Sequence, residues 1–218
     1  MHSALTKIKL DEIISNDTVY SIVWGGKYEN KKCVLKMIVI DSGKTKKKYF
    51  EKNGEKPFLH KEFKDKKSLT PREFKHEVEA YLKFSKLGIG PEIYDYGIHK
   101  DYEVHYGIIV MERLDCSIKQ LLIKRELTRH EHDIVDKLID KLHHKYDMVH
   151  GDMKPSNIGV YLNDKGEIKE CYFFDCQKVK YKKNYDSDSF KRLIYHDDVV
   201  YRDHYINNRN LGHKHKHK

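Results

Sequence analysis

The sequence predicts an α+β fold in two lobes. β-Branched and aromatic residues gather in short runs before residue 112, whereas the longest stretches of helical apolar spacing follow it. One strong helix start interrupts the strands, giving the order sheet, helix, sheet, then helices around a small hairpin. The expected division is a mostly antiparallel sheet lobe with one helix at 1–111, carrying a basic insertion at 41–69. A helical lobe at 112–200 and a basic, His-rich tail at 201–218 follow, with a cleft expected at Met111 to Asp115.

VYSIVWGG, the charged turn KYENKK and CVLKMIVI read as two antiparallel strands, because β-branched residues dominate and Gly25–Gly26 disfavour a helix. KLDEII ahead of them supplies an earlier strand, with Asn16 and Asp17 in the turn between. Residues 41–69 hold ten lysines, two glycines and one proline, and read as an exposed insertion. Thr70, Pro71 and Glu73 then form a helix start: a capping hydroxyl, a proline at the first helical position and an acid able to close a capping box. Helical spacing runs through Phe74, Val78, Tyr81 and Leu82 to a stop at Gly88. IYDYGIH and YGIIVMERL are strands joined at KDYE. SIKQLLIKREL and HEHDIVDKLIDKLHHKYDMVH are helical, the second through Ile134, Leu138, Ile139 and Leu142. IGVYLND and EIKECYFFD form a hairpin, and a short apolar helix near Phe190 to Tyr195 closes the fold.

Composition narrows the function. The chain has 218 residues, with 43 Lys+Arg against 34 Asp+Glu and a net charge of +9. No run reaches the roughly 20 apolar residues of a spanning helix, so the expectation is an intracellular, cytoplasmic protein with no membrane partner, a nucleus or a host-cell cytoplasm being the alternative locations. The four cysteines form no CxxC pair and read as reduced thiols. With only seven arginines, the positive charge rests on lysine, a poor reader of base edges.

The densest polar signal is His150-Gly151-Asp152-Met153-Lys154-Pro155-Ser156-Asn157, between a helix and a hairpin strand. Asp152 and Asn157 lie five residues apart on a loop stiffened by Pro155. Asp175 stands 23 residues past Asp152, at the end of the apolar run CYFF. Taken singly, each has a bland explanation: Asp and Asn cap turns, Lys36 snorkels from a strand, and Glu77 lies on a wet helix face.

Together they resemble the eukaryotic-type protein kinase superfamily. HGDMKPSN resembles its catalytic loop, CYFFD the strand into its metal-binding motif, and CVLK ending at Lys36 the strand of its nucleotide lysine. Glu77 matches the helix acid that pairs with that lysine. HGD for HRD, the small size and GIGPE after the helix are similar to the small kinase of the tRNA threonylcarbamoyl-modification complex and to RIO-type kinases. The resemblance implies a bilobal protein kinase-like fold with a reduced C-terminal lobe. It also implies ATP with Mg2+, or Mn2+, as cofactors. Lys36 would hold the α- and β-phosphates, Glu77 would orient Lys36, and Asp152 would be the catalytic base. Lys154 would steady the γ-phosphate, and Asn157 and Asp175 would bind the metal. Met111 to Leu114 is similar to a hinge, whose Glu112 and Leu114 backbone groups would bind adenine. The implied substrate is Ser or Thr of a protein.

Several features depart from that family. The phosphate-covering stretch from Asn16 to Ile22 has no glycine, leaving Ser21 and main-chain amides to compensate. Gly151 replaces an arginine that would receive an activation-loop phosphate, so activity is expected not to await loop phosphorylation. Asp175-Cys176-Gln177 lacks the glycine hinge, which predicts a fixed site. Asp186 or Asp188, with Asp188 favoured, is expected to support the catalytic-loop backbone. The alternative function is a pseudokinase or binding module that docks an acidic protein partner through the basic insertion. An RNA-associated or small-molecule kinase is a further alternative.

Overall fold

The computed structural model describes residues 6–15, 20–40, 66–101 and 104–216, with side chains as far as Asn208. The expected phosphate-covering residues 16–19, most of the basic insertion (41–65), part of the KDYE turn and the end of the tail lie outside the described residues. The protein is a mixed α+β fold that divides into two compact units. Unit 1 comprises Met1–Leu82 and Glu92–Arg113; unit 2 comprises Lys83–Pro91 and Leu114–Lys218.

Unit 1 is built on an antiparallel five-stranded sheet of β1 (Ile8–Ser15), β2 (Ser21–Tyr28), β3 (Lys31–Ile40), β4 (Ile93–Asp101) and β5 (Val104–Glu112), in the order β1-β2-β3-β5-β4. β2 and β3 are joined by Glu29 and Asn30, both at positive φ, the mirror-image turn whose twist matches a tight hairpin. Period-2 alternation puts Ile22, Trp24, Leu35, Met37, Ile108 and Val110 in one core cluster. Helix α1 (Pro71–Lys86) packs on β5, where Gly107 leaves the room that the Phe74 ring fills. Its start is the expected capping box: Thr70 Oγ1 accepts from Glu73 N, and Glu73 Oε2 accepts from Thr70 N at 2.7 Å. Ile40 and Leu69 form a parallel bridge, with Leu69 N donating to Val39 O at 2.9 Å, so the chain leaves and re-enters the sheet at one place.

Unit 2 takes up the last turn of α1. Gly88, at φ 66°, ends that helix, and Ile89 O then accepts from Phe173 N at 2.8 Å. β6 (Cys116–Ser117), β8 (Ile158–Leu162) and β9 (Ile168–Phe173) form one small sheet; β7 (Met148–Val149) and β10 (Lys180–Tyr181) form another. The helices are α2 (Ile118–Lys124), α3 (Arg129–Asp140) and α4 (Ser187–Lys216). The helix expected through His150 instead loosens into a π-turn at Lys141–Lys145 and stops at Asp147, which has φ 53°. The final helix, expected near Phe190 to Tyr195, runs 30 residues. It buries Tyr201, packs on α2, and reaches α3 through a 3.0 Å contact between Tyr205 Oη and His132 Nε2. Among the described residues no helix is long and apolar enough to cross a membrane.

Candidate active site

In unit 1 the expected lysine and acid meet. Lys36 on β3 faces α1, where its Nζ donates to Glu77 Oε1 at 2.6 Å, and the Tyr81 ring lies 5.9 Å from the same nitrogen. The side chains are 10% and 1% exposed. Two charges have therefore been taken out of water together, which requires close pairing to offset their lost hydration. Glu77 Oε2 is buried and has no hydrogen-bond partner among the described residues.

Glu112 and Leu114, expected to flank a hinge, fall in different units. Glu112 ends β5 in register with Cys33 of β3, and its N–H donates to Glu92 O at 2.8 Å, so that donor is already used within unit 1. Leu114 is the first residue of the second part of unit 2, where its side chain packs over Gly159. Ser21 opens β2 opposite Ile38 and is buried, which does not favour the phosphate contact expected of it.

In unit 2 the loop from His150 to Asn157 is held at several points. Asp152 is the focus: Lys154 Nζ lies 2.8 Å from its Oδ1 and 3.0 Å from its Oδ2. Asn157 Nδ2 donates to Asp152 O at 2.9 Å and to Oδ2 at 3.3 Å. The Asn157 amide nitrogen is thus turned toward Asp152, leaving Oδ1 as its acceptor. Pro155 opens a single 3-10 turn that closes at Asn157, as the stiffened loop predicts. Phe174 N then donates to Asn157 O at 3.0 Å, so Asn157 and Asp175 emerge from the same end of the β8–β9 hairpin. Asp175 has φ 59° and ψ 55°, a left-handed conformation that Asp tolerates better than most residues.

The His150 ring is wholly buried and bonded through Nε2 to Phe174 O at 2.9 Å, tying the loop to the strand ahead of Asp175. Because a carbonyl can only accept, Nε2 carries the proton. Burial lowers the His150 pKa below its ordinary 6.5 despite the Asp197 charge, so the ring is neutral and rigidly placed.

The acid that supports the loop backbone is Asp197, correcting the expectation of Asp186 or Asp188. His150 N donates to Asp197 Oδ2 at 2.6 Å and Gly151 N to Oδ1 at 2.9 Å. His143 Nε2 lies 3.4 Å from the same carboxylate, and Asp197 is 1% exposed. Asp188 is in solvent beside Lys191, while Asp186 accepts from Ser189 at the start of α4. No local pattern singles out Asp197, which becomes visible only once α4 is known to continue beyond Tyr195.

Two further features went unread in the sequence. Gly151 has φ 76°, and a Cβ there would come within 2.3 Å of Lys178 O, so backbone contact and a left-handed conformation both call for glycine at this position. Lys178 itself brings Nζ to 3.7 Å from Asp152 Oδ1, a second ammonium on that carboxylate. The segment after Asp175 is anchored by a 3-10 turn at Cys176–Lys178, by the β10–β7 pairing and by Lys182 N donating to Asp147 O at 3.0 Å.

No cluster of three or more His, Cys, Asp or Glu side chains suited to a metal occurs among the described residues. Asn157 Oδ1 and the Asp175 carboxylate are hard oxygen donors of the type that takes Mg2+ together with phosphate and water, which needs no such cage. No family model matches the chain, and no curated protein matches it either.

Proposed function

We propose that this chain is an ATP- and Mg2+-dependent phosphotransferase, with a bilobal protein-kinase-like fold reduced in its C-terminal part, acting on Ser or Thr of a protein. The observation that carries the proposal is the 2.6 Å buried pair of Lys36 and Glu77, drawn from positions 41 apart. A buried ion pair is a weak source of stability, since apolar residues of similar size serve as well or better. A lysine held straight by a carboxylate is, however, what binding of a nucleotide's phosphates requires.

The rest of the reaction follows from the chemistry of the loop. Asp152 accepts the proton of the acceptor hydroxyl as its oxygen attacks the γ-phosphorus; the bond from that phosphorus to the bridging oxygen breaks, and ADP leaves. Lys154, already on the Asp152 carboxylate, is within reach to neutralise the charge of the transferred group. Asn157 and Asp175 would hold Mg2+, which when bound offsets the negative charge of the phosphates. Asp197 and His150 keep the loop in place and touch no reacting atom. Ser21 is given no role.

Incubation of wild type with labelled ATP, Mg2+ and mixed protein substrates tests the proposal. Transfer is expected in wild type and a loss of about a thousandfold in Asp152→Asn, within the range for a general base. Equal metal-dependent transfer by that variant would refute it. A pseudokinase reading is favoured by the buried Ser21 and the glycine-free stretch around it. It predicts nucleotide binding, seen as a raised melting temperature, without transfer.

A further inference from the structure

We propose that the acceptor is an acidic polypeptide segment, taken up by a fixed row of lysines that follows Asp175. The inference rests on the phosphotransfer reading for the identity of Asp152 as the reacting base, but the row of charge stands without it. From Cys176 to Tyr185 the chain carries Lys178, Lys180, Lys182 and Lys183 and not one acid. Lys182 is paired with Asp147 at 2.8 Å, and Lys178 reaches Asp152 at 3.7 Å while remaining 59% exposed. Lys180 and Lys183 are in no ion pair among the described residues. The backbone beneath them is held by the β10–β7 ladder, by Lys178 O against Gly151, and by Tyr185 N donating to Lys182 O at 2.9 Å.

Charges fixed on an ordered backbone attract an opposite charge with little further ordering, and this is what gives a surface selectivity. The placement matters as much as the sign. Lys178 touches the carboxylate that would receive the acceptor's proton, so a negative group beside the acceptor hydroxyl would meet this ammonium. Lysines are point charges without the planar fork that reads guanine edges bidentately, so they attract negative charge without selecting a base. The Tyr181 face, which could otherwise stack a base, is covered by Lys83 Nζ at 4.4 Å.

The test uses the full chain and a fluorescent peptide with one serine flanked by glutamates, compared with the same peptide carrying glutamines. Binding followed by anisotropy is expected to favour the acidic peptide by about tenfold at low salt and to lose that preference at high salt. The pair Lys180→Glu with Lys183→Glu, the first half-buried and the second exposed, checked for an unchanged melting temperature, is expected to abolish the preference. Equal affinity for the two peptides, or an unchanged preference in the variant, would overturn the proposal. So would an RNA oligonucleotide of equal charge displacing the acidic peptide more readily than unlabelled peptide does. Preference in binding without Mg-ATP-dependent labelling of the serine would leave the lysine row in place and remove the phosphotransfer reading instead. Labelling without preference would do the reverse.

Discussion

Gly151 and Asp197 fix the same loop backbone, one by leaving space for Lys178 O and the other by accepting from the N–H groups of His150 and Gly151. Gly151→Ala adds a Cβ against Lys178 O in a left-handed backbone, so unfolding in urea is expected to show a loss of about 2 kcal/mol. Asp197→Ala leaves the buried N–H groups of His150 and Gly151 without their acceptor and is expected to lose about 3 kcal/mol. Asp188→Ala, at an exposed position, is expected to stay within about 0.5 kcal/mol of wild type in the same titration. The contrast shows what residue patterns can reveal. Asp152, Asn157 and Asp175 stood out because loop chemistry and an apolar strand mark them locally. Asp197 is one of several acids in a polar helix, and its burial is decided by distant packing.

At the level of elements, the β2–β3 hairpin and the start of α1 were legible from alternation and a capping box, although the turn expected over KYENKK narrows to Glu29 and Asn30 because both strands extend into it. The end of α3 was not, because its apolar spacing continues into the π-turn while Asp147 reverses the backbone. The capping box at Thr128 and Glu131 is as plain in the sequence as that of α1. It does more than start α3. Glu131 is wholly buried, accepts two hydrogen bonds from Arg125 at 2.6 and 2.7 Å, and also accepts from Thr128 N and Ile168 N. Burial pushes its carboxyl up, but these bonds outweigh burial and bring the pKa down from 4.5 to about 2. A folded-state pKa below the unfolded one gives stability that is complete above about 4.5 and is lost as pH falls toward 2. That contribution is on the order of 3 kcal/mol. Denaturation midpoints over this range are expected to fall with pH in wild type, and less steeply in Glu131→Gln.

For the whole molecule, the proposed reaction draws Lys36 and Glu77 from unit 1 and Asp152, Asn157 and Asp175 from unit 2. Groups that serve one chemical step are not additive when removed. Lys36→Ala and Asp152→Ala are each expected to abolish most transfer, and the double variant to be scarcely slower than the worse single one. Multiplied losses in a rate measurement would mean that the two residues do not share a step. The two-part α+β class was legible because strand and helix patterns separate along the chain; the extent of α4 was not, because its later turns are too polar to show a face. The Ile40–Leu69 bridge has a practical consequence. Since the two flanks are already stitched side by side, a glycine-serine bridge or a fluorescent reporter grafted between them is expected to leave the sheet register intact. Deleting 41–68 in this way would therefore isolate the contribution of the lysine-rich stretch without rebuilding the protein around it.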